Sequence, residues 1–207
     1  MGKVGVRLVA RLPRDAETAA EPVILCPWLD GPDPATRFWL GVLSWHDANA
    51  SLLAALDGLP PRRRAGPVFA ALFCADPFRS PADLFARLRA AGIAGVVNLP
   101  SVTFLDGPFA DILRQFDLGP AREVRVLRQA HEAGFRIAGC ADSREMARDL
   151  AALGSEFLIV HDGPPVPRTG RHKAADPLPR RFAGLDVPVM TVDTLLAPFA
   201  GPGGAGR

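Results

Sequence analysis

Short apolar runs rich in β-branched residues alternate with helical patterns along this chain, and glycines at Gly92, Gly134 and Gly154 each close a helical pattern just before such a run. A residue in the left-handed region is the usual end of a helix, and glycine reaches that region at least cost. Alternation of this kind demands consecutive βα units whose strands are covered on both faces, hence a largely parallel sheet. Strands are expected at Val23–Cys26, Val68–Phe73, Gly95–Asn98, Arg136–Gly139, Phe157–His161 and Val187–Val192, with Val4–Ala10 as a further candidate. Helices are expected at Ala48–Leu56, Ala82–Ala90, Ala121–Ala133 and Ser143–Ala152.

Two helix starts carry their own punctuation. Ser80-Pro81-Ala82-Asp83 offers a hydroxyl cap, a first-turn proline and an acid, and Asp142-Ser143-Arg144-Glu145 repeats the device with Asp142 as the expected cap. Beyond His161 the pattern stops in a stretch rich in Pro and Arg, and residues 201–207 read as a flexible tail. The expected fold is therefore α/β, a TIM-type (β/α) barrel shortened to about six or seven recognisable strands, because a closed barrel of this kind takes about eight strands and about 250 residues. Residues 1–200 are expected to form one barrel-like domain, since 207 residues that are 48% hydrophobic suffice for a substantial core.

Composition mainly excludes. Lys and Arg number 24 against 22 Asp and Glu, and no basic run is interleaved with aromatics, so a nucleic-acid partner is not expected. Cys26, Cys74 and Cys140 are far apart and without a CxxC pair, which argues against a disulfide framework or a structural zinc. The first residues lack the apolar core of a secretory signal, and no run reaches membrane-spanning length. A cytoplasmic protein without a membrane partner is expected.

The stretch from Phe69 to Gly107 carries most of the candidate chemistry. In a parallel sheet the loops that follow two strands open on the same side, which brings Asp76 and Arg79 of one toward Asn98, Ser101 and Asp106 of the next. Asp76 suits a divalent metal or a base and Arg79 a carboxylate or phosphate, although the two also suit a plain ion pair that fixes the loop. Asn98 and Ser101 suit hydrogen bonds to a substrate or to loop backbone, and Asp106-Gly107 is also a turn signal. Asp47 is a helix cap in waiting, with His46 beside it as a candidate acid or base near neutral pH. Glu123 stands in a first helical turn, where the macrodipole alone favours an acid. His161 ends a strand, Cys74 is either a nucleophile or a buried small residue, and Arg168, Arg171, His172 and Lys173 form a basic loop that reads as solvated.

Four segments also carry a resemblance: GVLSWHDANA (41–50), CADPFR (74–79), GVVNLPSVTFLDGPF (95–109) and LGPAREVRVLRQAHEAGF (118–135). In order and rough spacing they resemble the phosphoenolpyruvate hydrolase-like family, described also as predicted TIM-barrel signal transduction proteins and similar to the phosphoenolpyruvate mutase and isocitrate lyase barrels. The family's glycine-rich first unit has no counterpart here, its glycine-rich turn's Tyr and Asp are Pro120 and Ala121, and the second acid of its helix is Arg125, while Glu123 keeps the first. His161 and Asp106 match family positions, and His46 stands where the family has glycine. The resemblance implies a small anionic substrate of the phosphoenolpyruvate or 2-oxo acid kind, with Mg2+ as a candidate cofactor. It implies Arg79 as anion binder, Asp76 as metal ligand or base, and His161 or Glu123 as the group that exchanges the other proton. The compressed ends leave a second reading, a catalytically inactive relative that serves as a binding or regulatory subunit. Either way exposed strand edges imply a homo-oligomer or a protein partner.

Overall fold

The computed structural model describes residues 5–12, 21–41, 47–57, 66–161 and 178–199. Seven strands form one sheet: β1 (Arg7–Val9), β2 (Val23–Leu25), β3 (Val68–Ala71), β4 (Gly95–Val97), β5 (Arg136–Ala141), β6 (Leu158–Val160) and β7 (Val189–Thr191). They lie in chain order and every neighbouring pair is parallel. The helices are α1 (Pro34–Leu40), α2 (Ala48–Asp57), α3 (Pro81–Ala90), α4 (Gly107–Gln115), α5 (Pro120–Glu132), α6 (Arg144–Ala152), α7 (Leu178–Arg181) and α8 (Val192–Leu196).

Unbroken strand order has a physical consequence. Right-handed crossovers that always step to the next strand put their helices on one face, and the twisted sheet curls away from them. Two hydrophobic layers follow. The outer one joins Leu25, Val68, Ala70, Val96, Ile137 and Leu158 to Leu52 of α2, Leu88 of α3, Leu127 of α5 and Leu150 of α6. The inner one joins Ile24, Phe69, Val97, Cys140 and Ile159 on the concave face to Trp28, Phe104 and Leu195. Phe69 and Phe157 fill it edge to face at 5.2 Å. Gly95 makes room for that ring, because a Cβ there would stand 2.5 Å from Phe69 Cε1. The result is a curled half-barrel of the TIM type. In place of an eighth strand, α8 packs against both β7 and β1.

Most expected elements are present, and the three helix-closing glycines have φ of +69°, +90° and +85°. Six of the seven strand expectations run past the observed ladders, as with Val68–Phe73 against β3 ending at Ala71, while Arg136–Gly139 stops short of the end of β5 at Ala141. The cap expected at Asp142 belongs to Ser143, whose Oγ accepts the Met146 N–H at 3.4 Å. The register of the turn, one residue later than expected, leaves Asp142 outside the helix. Ser80 does stand at the start of α3, but its side chain makes no capping bond. Helices α1, α4, α7 and α8 were not expected; α4 follows the Asp106-Gly107 turn, where Gly107 has φ of +64°. Among the described residues no helix is long and apolar enough to cross a membrane.

Candidate functional site

Two polar clusters form at the carboxyl ends of the strands. The first gathers around the loop after β3. Asn49 shares the buried stripe of α2 with Leu52 and Leu56, so its amide enters the protein rather than solvent. It accepts the Phe73 N–H at 2.9 Å and donates to Phe73 O at 3.0 Å and to Asp76 Oδ2 at 2.9 Å. Asp76 Oδ1 accepts the Phe78 N–H at 2.8 Å, and Oδ2 also accepts Arg79 Nη1 at 2.8 Å. Arg79 Nη2 donates to Asp47 Oδ2 at 2.6 Å, while Asp47 Oδ1 caps α2 through the Ala50 N–H at 2.8 Å. Burial pushes the Asp76 carboxyl up, but the bonds from Asn49, Arg79 and the Phe78 N–H, with the Arg79 charge, outweigh it and hold the group below its usual value. The same bonds, that to Asp47 first, hold Arg79 above its own.

The second cluster is sealed inside. Glu123 is wholly buried. Its Oε2 accepts Asn98 Nδ2 at 2.8 Å and Ser101 Oγ at 2.6 Å, and its Oε1 accepts the Val102 N–H at 2.8 Å. Asn98 is fixed in turn across the sheet, donating to Cys140 O at 3.0 Å and accepting the Cys140 N–H at 2.7 Å. Ser101 Oγ lies 2.7 Å from Thr103 Oγ1, and that hydroxyl lies 2.8 Å from His161 Nε2. Carboxyl, hydroxyl, hydroxyl and imidazole thus form one unbroken chain, with Phe104 against the imidazole at 4.1 Å between ring centres. Burial drives the Glu123 carboxyl up to about 7, against the opposing effect of its three hydrogen bonds and with a small addition from the Asp142 charge. A carboxyl raised this far can hold a proton near neutral pH.

The first turn of α5 joins the two clusters. Glu123 reaches the buried chain, while its neighbour Arg122 donates through Nη2 to Asp76 O at 2.8 Å. Above them opens a cleft of about 380 Å³. Asp47, Asp76 and Arg79 form one corner of it, and Val102, Leu105, Phe109 and Leu118 supply apolar wall. Val102 therefore separates the cleft from Glu123.

The expected residues divide along this line. Asp76 and Arg79 stand on the cleft; Asn98, Ser101, Glu123 and His161 meet one another in the buried chain and do not line it. Asp106 is exposed at the start of α4 and lies outside both clusters. His46 and the basic segment from Arg168 to Lys173 lie outside the described residues. The Cys74 thiol is buried and pushed well above its ordinary value by that burial, which leaves no thiolate for nucleophilic attack near neutral pH. Asn49, Thr103 and Arg122 were missed. Asn49 was detectable as a polar residue in the apolar spacing of Leu52 and Leu56, whereas Thr103 and Arg122 carry no such mark.

A resident Mg2+ does not fit the described residues as arranged. Both Asp76 oxygens are taken by donors, and the Arg79 guanidinium occupies the space between Asp76 and Asp47 where a cation would bridge them. Among the described residues there is no group of three or more His, Cys, Asp or Glu side chains placed to hold a metal ion.

Fold and site together define an α/β protein of the TIM-barrel type, with its polar residues gathered where the strands end. The match to the phosphoenolpyruvate hydrolase-like family over residues 36–179 covers well over half of the chain, and the protein belongs to that family. It is 37% identical over 138 residues to the uncharacterized protein y4oT of Sinorhizobium fredii (strain NBRC 101917 / NGR234), an alignment covering 66% of this chain and 69% of that one. It is 30% identical over 123 residues to the ToMV resistance protein Tm-1(GCR237) and to the ToMV susceptible protein tm-1(GCR26) of Solanum lycopersicum. Those alignments cover 59% of this chain but only 16% of either tomato protein.

Proposed function

We propose that the chain is an enzyme acting on a small anionic substrate of the phosphoenolpyruvate or 2-oxo acid kind, by bond cleavage or hydrolysis beside a carboxylate. Such chemistry needs an anchor for the anion and groups that give and take a proton. Arg79 is the anchor in this reading and Asp76 the carboxylate held beside it. The buried chain from Glu123 to His161 holds the exchangeable proton beneath Val102. The observation that carries the reading is that chain: a buried carboxyl hydrogen-bonded to Ser101 and linked through Thr103 to the His161 imidazole, with burial raising the acid toward neutrality.

A second reading, a catalytically inactive binding or regulatory subunit, draws support from the almost complete burial of Glu123 and His161. Proton and phosphorus NMR time courses with phosphoenolpyruvate and a panel of 2-oxo acids separate the two. The enzyme reading expects conversion that is lost in Asp76→Asn and whose pH profile shifts in Glu123→Gln. Absence of turnover from folded protein across the panel favours the binding subunit.

A further inference from the structure

The walls of the cleft say more about its ligand than the charged corner does. A three-carbon acid is polar throughout and small. The cleft holds about 380 Å³, inside the range of about 300–1,000 Å³ typical of sites for much larger organic ligands. Away from Asp47, Asp76 and Arg79 its surface is made by Ala48, Phe73, Val102, Leu105, Phe109 and Leu118. Phe78 and Phe109, both in its lining, are 90% and 50% exposed. Exposed phenyl rings gain by covering with apolar surface and gain nothing from a hydrated phosphate or carboxylate.

We infer that the cleft takes an amphipathic carboxylate: a carboxylate end on Arg79, and a hydrophobic body longer than a three-carbon acid lying along Leu105, Phe109 and Leu118. The inference rests on the reading of this cleft as the substrate site and narrows its ligand class. The corner dictates how the head binds. Two carboxylates already neutralise the Arg79 guanidinium, so charge balance favours an incoming anion that replaces one of them. Asp76 is buried and held by donors besides Arg79. The Asp47 side chain is 52% exposed and returns to solvent at little cost. A ligand carboxylate therefore takes the place of Asp47 on Nη2, like for like.

Calorimetric titration of the full chain with straight-chain carboxylates from butanoate to decanoate, beside pyruvate and phosphoenolpyruvate, tests this. Affinity is expected to rise by up to about fourfold for each methylene until the body fills the cleft. Asp47→Asn, which keeps a capping side chain but removes the competing charge, is expected to tighten every member. Arg79→Met is expected to weaken every member by about tenfold, the loss of one charge-assisted bond, and Phe109→Ser to flatten the dependence on length.

Affinity that ignores chain length, or pyruvate and phosphoenolpyruvate bound as tightly as octanoate, overturns the amphipathic ligand and leaves a small-anion site standing. A length dependence untouched by Arg79→Met and Phe109→Ser puts the binding elsewhere and overturns it as well. Length-dependent binding with these responses, in protein that converts no member of the NMR panel, upholds the ligand class and overturns the phosphoenolpyruvate-type substrate. Failure of every acid to bind removes both.

Discussion

Asp76 and Glu123 are both carboxylic acids at the same end of the same half-barrel, both buried and both held by an asparagine, yet their environments push them in opposite directions. At Asp76 the bonds from Asn49, Arg79 and the Phe78 N–H, with the Arg79 charge added, favour the charged form. Glu123 has only neutral donors, and burial wins. At Glu123 the neutral hydrogen bonds do not offset complete burial, whereas at Asp76 the hydrogen bonds and the neighbouring cation together do. One mouth thus carries a fixed charge facing a cleft and an exchangeable proton sealed below it.

The comparison can be broken by mutation. Glu123→Ala strands Asn98 Nδ2, Ser101 Oγ and the Val102 N–H in the interior, and urea denaturation should show a loss of about 4 kcal/mol. The pH dependence follows next. The folded value of Glu123 lies above its ordinary one, so folded protein binds the proton more tightly. The stability from this group is full below about pH 4.5 and falls as pH rises toward about 7, by about 3 kcal/mol in all. Glu123→Gln should flatten that slope. Asp76 has the opposite sign: its folded value is depressed, so its contribution is full above its ordinary value and is lost as pH falls through the depressed one. Asp76→Asn should remove that acid-side loss.

Smaller effects sharpen the contrast. Asn49→Ala unties the loop after β3 from α2 and leaves the half-buried Phe73 N–H without this acceptor, for about 1–2 kcal/mol in denaturant unfolding. Arg79→Met removes two ion pairs, one to exposed Asp47 and one to buried Asp76, and should cost about 1 kcal/mol in stability. Its effect belongs in anion binding instead. A large stability loss at Arg79 would make that side of the mouth structural.

Sequence alone went far with the frame because its signals are local. Gly92, Gly134 and Gly154 had to follow helices, and the short apolar runs had to be covered on both faces. Local signals also misplaced what depends on packing. Glu123 looked like a dipole-favoured acid in a first turn, and nothing in that position distinguishes it from a solvated one. The distinguishing mark is its spacing: Glu123, Val126, Leu127 and Ala130 share one buried stripe, so the acid had to go inside. The same reasoning applies to Asn49. Thr103 was beyond reach, because its role comes from the 3-10 turn Val102–Phe104 bringing it to His161, a residue 58 positions away. The loop that follows the strand at Val68 marked Asp76 and Arg79 as a pair, but not their ties to Asn49 and Asp47.

The central claim is that these two acids hold opposite protonation habits within one mouth. Carboxyl-detected carbon-13 NMR titration of the full chain, with Glu123→Gln and Asp76→Asn used for assignment, measures it directly. The expected result is a Glu123 midpoint near 7 with Asp76 titrating below the ordinary range for its type. Both acids titrating at ordinary values, or in the reverse order, would contradict the account and take the proton-holding chain with it.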